Sequence, residues 1–141
     1  MQDEFFEKLQ NTTLSSAPLT HSRLKHFAGI AQTTEDHISR IGIGLSFNHG
    51  EVEADWLPNA LGGIDAPMSV ITGKHIRGKT LFKEDLLFFI ALASQHQDLS
   101  DYSECRSILR AHWERGVQML TEKAQGNPDW IRITNSLLAS S

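Results

Sequence analysis

Cysteine occurs once in the 141 residues, as Cys105. A single thiol excludes an internal disulfide and any zinc site built on cysteines, and it fits a reducing compartment. Long hydrophobic runs are missing as well. The longest strongly apolar stretch, Leu86 to Ala93, falls far short of the ~18–20 residues that span a bilayer, so no membrane association is expected. The opening Met-Gln-Asp-Glu has neither the cationic start nor the apolar stretch of a secretory signal, which predicts a cytoplasmic protein. An excess of positive charge is absent too: 13 Lys and Arg stand against 17 Asp and Glu, a formal charge of −4. That excludes a tail-like basic nucleic-acid binder, but not a local basic face, because net charge is silent about distribution. Finally, the seven histidines include no H-x-x-x-H or H-E-x-x-H pair, so no metal or other cofactor is expected.

What is present points to one domain. The apolar fraction of 40% and charged fraction of 21% are ordinary globular usage, and the length suits a single unit. Residues 1–18 read as an N-terminal arm, with a short amphipathic helix over 3–9 and an extended stretch from Asn11 to Pro18. Residues 19–47 read as a helix pair. In the first helix Thr20 is the expected N-cap, Leu24, Phe27 and Ala28 form the apolar face, and Gly29 is the stop. In the second, Thr33 is the expected cap with Asp36 three residues on, and Ile38, Ile41 and Leu45 form the stripe. Gly42 and Ser46 flank that stripe and invite close approach of another backbone, here assigned to a subunit contact.

Residues 48–79 read as a loop with a short strand at Met68–Thr72, and the long Asn48–Pro67 connection suggests function. Residues 80–125 read as a helical pair. The first member, about Thr80–Gln95, is apolar nearly all round and suggests burial between subunits. Glu84 and Asp85 fit its first turn as dipole partners. The second member, ending at Ala124, carries one sustained face from Cys105 to Leu120, with Cys105 and His112 expected as core residues. A tail helix over 126–141, opened by Asn127-Pro128, completes an all-α, mainly helical, compact domain.

Two motifs bear on function. Gly73-Lys74-His75-Ile76-Arg77-Gly78-Lys79-Thr80 satisfies G-x-x-x-x-G-K-[ST], in which amides would cradle phosphate, Lys79 reach the outer phosphates and Thr80 hold magnesium. A second strand ending in an acidic residue, which such a nucleotide site also needs, is not visible. The same segment reads alternatively as a solvated basic loop, or as a nucleic-acid phosphate contact through Lys74, Arg77, Lys79 and Lys83. A second basic group comprises His21, Arg23, Lys25 and His26, with Arg40 on the next helix. An extended arm followed by a helix, a glycine turn and a second helix is the order of a ribbon-helix-helix unit, and a helix-turn-helix is the other DNA-binding scaffold of that order.

The order Leu19-Thr20-x-x-Arg23-Leu24-Lys25-x-x-x-Gly29-Ile30, then Arg40-Ile41-Gly42, resembles the start of the DNA sulfur modification protein DndE family. Ile76-Arg77-Gly78-Lys79-Thr80-Leu81 looks like that family's entry into its third helix, and Ala111-His112-x-x-x-Gly116-Val117 like a stretch of its fourth. The resemblance runs collinearly from Leu19 to Leu120. It implies a catalytically silent, ribbon-helix-helix-like subunit of bacterial DNA phosphorothioation, assembled as a homotetramer. Such a subunit binds nicked duplex DNA through surface cations and works beside sulfur-transfer and ATPase proteins. By position, Arg23, Lys25, Arg40, Lys74, Arg77, Lys79 and Lys83 become the expected DNA-binding residues. The opening Gln32-Thr33-Thr34-Glu35-Asp36 departs from the family's Thr-Pro-Asn type of start, and its acids would repel a phosphate there. A Gly-Lys-Thr is likewise not a family feature. The remaining alternatives are a small P-loop-like nucleotide-binding protein and an adaptor contacting protein partners through Asn48–Pro67.

Overall fold

A computed structural model describes residues 2–65, 67–95 and 101–124. The expected tail helix, with Trp130, Ile133 and Leu137, lies outside the described residues. The chain runs α1 (Gln2–Asn11), β1 (Thr13–Ser15), α2 (Pro18–Ala31), α3 (Glu35–His49), β2 (His75–Arg77), α4 (Gly78–Phe82), α5 (Leu86–Ser94) and α6 (Tyr102–Ala124). One-turn 3₁₀ segments lie at Gly62–Ile64 and Lys83–Asp85. The architecture is mainly helical, as expected. Among the described residues no helix is long and apolar enough to cross a membrane.

The core is organised on α3 and α6. Ile38, Ile43 and Phe47 of α3 are buried with Ile108, Leu109, Trp113, Val117 and Leu120 of α6. The two helices cross where Gly42 meets Gly116: a Cβ on Gly116 would lie 1.9 Å from the Gly42 carbonyl oxygen. The small-residue face of Gly42 and Ser46 therefore seats α6 of the same chain, which corrects its assignment to a subunit contact. Polar groups on this seam are satisfied. The Trp113 indole N–H donates to Ser39 Oγ at 2.9 Å, and Ser39 Oγ donates to the Glu35 carbonyl at 2.8 Å.

Several local expectations shift. Helix α2 starts at Pro18, a residue suited to a first turn because it lacks an N–H, and it continues through Gly29 to a left-handed Gln32 with φ 55°. Thr20 is not its cap. It is buried and donates to the Glu114 carboxylate at 2.9 Å, while Glu114 also accepts the Ala17 amide at 2.6 Å. A carboxylate from α6 thus takes the capping role. Helix α3 is capped by Thr34, not Thr33, through the His37 amide at 3.1 Å.

The third helix is broken. Lys83 adopts φ 50°, and its amide returns to the Lys79 carbonyl. The Leu81 carbonyl accepts from Arg40 Nη1 at 3.0 Å. The bend turns Phe82, Leu86 and Phe89 inward together and leaves Leu87 and Phe88 on the outside, 62% and 61% exposed. The expected strand at Met68–Thr72 is also displaced, to His75–Arg77. It pairs antiparallel with β1 in the register Thr13↔Arg77, Leu14↔Ile76 and Ser15↔His75.

Candidate nucleic-acid interface

The alternation of β1 and β2 fixes what the ribbon shows to solvent. Leu14 and Ile76 point inward and are buried, whereas Thr13, Ser15, His75 and Arg77 are exposed, as the period of two requires. Ser15 Oγ and His75 Nδ1 hydrogen-bond across the strands at 2.7 Å. Arg106 of α6 closes over the β1 side, donating to Thr12 Oγ1 at 2.8 Å and to the Thr13 carbonyl at 2.6 Å. Beyond Arg77 the chain enters α4, where Lys79 and then Lys83 are exposed. Arg77, Lys79 and Lys83 make no ion pair among the described residues. Arg40 lies at the same place, its guanidinium held on the end of α4. Exposed Glu84 and Asp85 follow directly and bound this cationic strip on one side.

The other expected cations sit elsewhere. Arg23 is fully buried. Its guanidinium forks onto Asp65, Nε to Oδ1 and Nη2 to Oδ2, both at 2.8 Å, and also donates to the Asn59 carbonyl and to Gln118 Oε1. With every face occupied, Arg23 is an interior tie and not part of an outer basic surface. Lys74 Nζ lies 3.2 Å from Glu35 and 3.7 Å from Asp36, so its charge is offset locally. His21 spans Thr72 and the same Glu35. Lys25 and His26 are exposed on α2, and Lys25 has no carboxylate partner among the described residues. The seven expected residues therefore divide: Arg77, Lys79 and Lys83 come together with Arg40 beside them, Lys25 stands on α2, and Arg23 and Lys74 are spent on carboxylates.

The P-loop-like segment spends the amides at its two ends on the N-terminal arm. The Lys74 N–H donates to Ser16 Oγ at 2.9 Å and the Gly78 N–H to the Thr12 carbonyl at 3.0 Å. A Cβ on Gly73 would fall 1.7 Å from the Ser16 carbonyl oxygen, and one on Gly78 2.0 Å from that of Leu9. These glycines admit the N-terminal arm at close range, and residues 75–77 between them are strand, so the segment does not curl into an anion nest.

The long loop after α3 is pinned rather than free. Arg115 donates to the Ser46, Gly50 and Glu51 carbonyls and to Ser46 Oγ, which caps the end of α3 with a cation in the favourable dipole sense. Burial lowers the pKa of that guanidinium. Arg110, paired with Glu114, donates to the Ala54 and Trp56 carbonyls, and Gln118 accepts the Asn59 amide at 2.7 Å. A cleft of about 360 Å³ beside it is lined by Trp56, Met119 and Arg115 among others.

Two side chains of chemical interest lie inside. Ser46 Oγ is 2.8 Å from His112 Nδ1, but both residues are buried and the Phe47 ring packs 4.1 Å from the imidazole, so no substrate reaches the pair. Cys105 is buried, and desolvation pushes its thiol up to about 12, which keeps it protonated and unreactive. Among the described residues no group of three or more His, Cys, Asp or Glu is placed to hold a metal. Comparison with protein families, curated proteins and solved structures returns no match for the chain.

Proposed function

We propose that this protein is a non-catalytic DNA-binding and scaffolding subunit that grips the phosphate backbone of duplex DNA through β2 and α4. This is the role that the resemblance to the DndE family implies within phosphorothioate modification. The observation that carries the reading is the outward display of Arg77, Lys79 and Lys83, unpaired among the described residues, on one continuous segment. In a chain of charge −4 that segregation favours an anionic polymer as ligand. The adjoining ribbon face adds Thr13 and Ser15 hydroxyls, the His75 imidazole and Arg106, all groups that contact phosphate. The α2–α3 pair following β1 keeps ribbon-helix-helix order, a scaffold whose ribbon meets DNA. Nicked duplex as the preferred form, sulfur-transfer and ATPase partners, a homotetrameric state and a cytoplasmic site belong to the same proposal.

The test is binding to nicked and intact duplexes across a salt series. Each neutralised phosphate contributes about −0.9 to the slope of log K against log salt, so three cations per subunit give roughly −2.7. The Arg77→Glu/Lys79→Glu/Lys83→Glu variant should keep its helical spectrum and lose most of that binding. Salt-independent binding, or none at low salt, rejects the reading. A second reading, a protein-binding adaptor, draws support from the exposed Leu87 and Phe88 of α5 and less from the pinned loop after α3. It predicts no DNA shift at any salt concentration.

A further inference from the structure

The cleft beside α6 is polar in much of its lining, but those polar groups are already engaged. It follows one face of α6 through Arg115, Gln118, Met119 and Glu122, at the spacing i, i+3, i+4 and i+7 that stacks side chains along a helix. Trp56 and His49 join them from outside α6. Arg115 is turned onto the end of α3, where it donates to the Ser46, Gly50 and Glu51 carbonyls. Gln118 accepts from Arg23 and from the Asn59 amide, and donates to Glu122. What remains to attract an occupant is the half-buried pair Trp56 and Met119, which faces about 360 Å³ of open space. Water over such apolar surface is displaced at a gain.

We infer that this cleft is the seat of the chain's own segment 125–141, which lies outside the described residues, folded back along α6 as the second arm of a helical hairpin. Helix α6 ends at Ala124, one residue past Lys123 on the rim of the cleft, so the segment sets out from the cleft itself. Gly126 stands at the C′ position, where a helix is most readily stopped, and Pro128 suits the first turn of the next. A connection this short sets two helices antiparallel and side by side. Trp130, Ile133 and Leu137 then follow at i, i+3 and i+7, the spacing of one apolar face. As a helix, Trp130 to Leu137 rises about 10 Å, the same as Arg115 to Glu122, so the apolar face and the cleft match in length. A foreign peptide would give up translational freedom to reach this seat, whereas the tethered segment is held beside it at an effective concentration of about millimolar or more. A polar small molecule fits less well, because no buried side-chain N or O among the described residues is left without a partner. The inference stands on the cleft and the sequence that follows it, and not on DNA binding.

The experiment is hydrogen exchange of the full chain by mass spectrometry, read over residues 128–138. A helix this short is marginal alone in water, so protection there requires a seat. In the wild type, exchange should be slowed about tenfold or more relative to unstructured chain. Met119→Glu places a carboxylate in the cleft while keeping a good helix former, and Trp56→Ser removes the aromatic surface from a different element. Each should abolish most of the protection. Leu87→Glu, on the exposed face of α5, should leave it in place. Trypsin gives a second readout at Arg132, where cleavage should speed up in the two cleft variants alone. An unprotected segment in the wild type, or protection that survives both cleft variants, overturns the inference. So does protection lost in Leu87→Glu, which would put the segment on α5, and so does protection that fades on dilution, which would put it in the cleft of a second copy.

Discussion

Replacing Gly116 with alanine adds one methyl group at the tightest point of the molecule. Its Cβ would lie 1.9 Å from the Gly42 oxygen, 2.2 Å from the Gly42 carbonyl carbon and 2.9 Å from its Cα. All three are backbone atoms and none can swing aside. A relaxed carbon–oxygen contact is about 3.3 Å, so α3 and α6 must separate by roughly 1.4 Å. A gap of even ~0.5–1 Å forfeits a quarter to a half of the dispersion energy of the facing atoms, and these helices carry most of the core. Overpacking costs about 1–3 kcal/mol. Stretching the Trp113–Ser39 and Ser46–His112 bonds across the seam adds about 1–2 kcal/mol, while the better helix propensity of alanine returns about 1 kcal/mol. The expected net loss is about 1–4 kcal/mol, or a Tm lowered by roughly 3–15 °C at this size. The matched control is Gly44→Ala on the facing helix α3, where nothing lies within 4 Å of the added Cβ; it should gain up to about 1 kcal/mol. Urea unfolding with both variants read by far-UV dichroism checks the pair. A Gly116→Ala chain as stable as the wild type, with unchanged m-value, refutes the helix crossing at this glycine.

Two further expectations concern buried charge and the thiol. Arg23→Ala removes the guanidinium that forks onto Asp65 and releases Asn59 and Gln118. A buried pair broken from one side costs about 3–5 kcal/mol, and hydrogen exchange at the Asn59 and Leu61 amides, which donate to Gln118 and Asp65, should accelerate; unchanged exchange there contradicts the pinned loop. For Cys105 the folded-state pKa is raised to about 12 from 9.0. The folded chain thus keeps a proton that the unfolded chain releases. This contribution is fully present below pH 9 and is lost as pH climbs from 9 towards 12, at up to about 1.4 kcal/mol per pH unit. Wild-type Tm should fall more steeply over that window than that of Cys105→Ala, and parallel curves would show the thiol to be solvated.

Legibility in the sequence followed length and periodicity. Helix α6 carries its apolar face through six turns, and the expected span from Ser100 or Asp101 to Ala124 matches Tyr102–Ala124. The β-ribbon was hidden because Thr13-Leu14-Ser15 and His75-Ile76-Arg77 each alternate for only three residues, too few for a period of two to stand out. Their polar–apolar–polar pattern is nonetheless the signal that could have found His75, Thr13 and Ser15. The break at Lys83 had no marker, since neither glycine nor proline stands there, yet φ is 50°. Arg23 sat in an amphipathic helix beside Lys25 and looked equally exposed. Only the return of a loop more than forty positions along the chain, bringing Asp65, set the two apart. Gly42 and Ser46 announced a close backbone approach correctly, but spacing on one helix does not say whose backbone approaches.

The pairing of β1 with β2 also sets an order of events at the ribosome. Ser15 and His75 are 60 positions apart, and the carboxylate that caps α2 arrives later still, 97 positions after Ala17. At ~5–20 residues per second the N-terminal arm emerges several seconds before its partner strand exists. Helices α2 and α3 can form locally in that interval, whereas the ribbon and its cationic face appear only after residue 78 is out. The arm is thus the first part synthesised and among the last to dock.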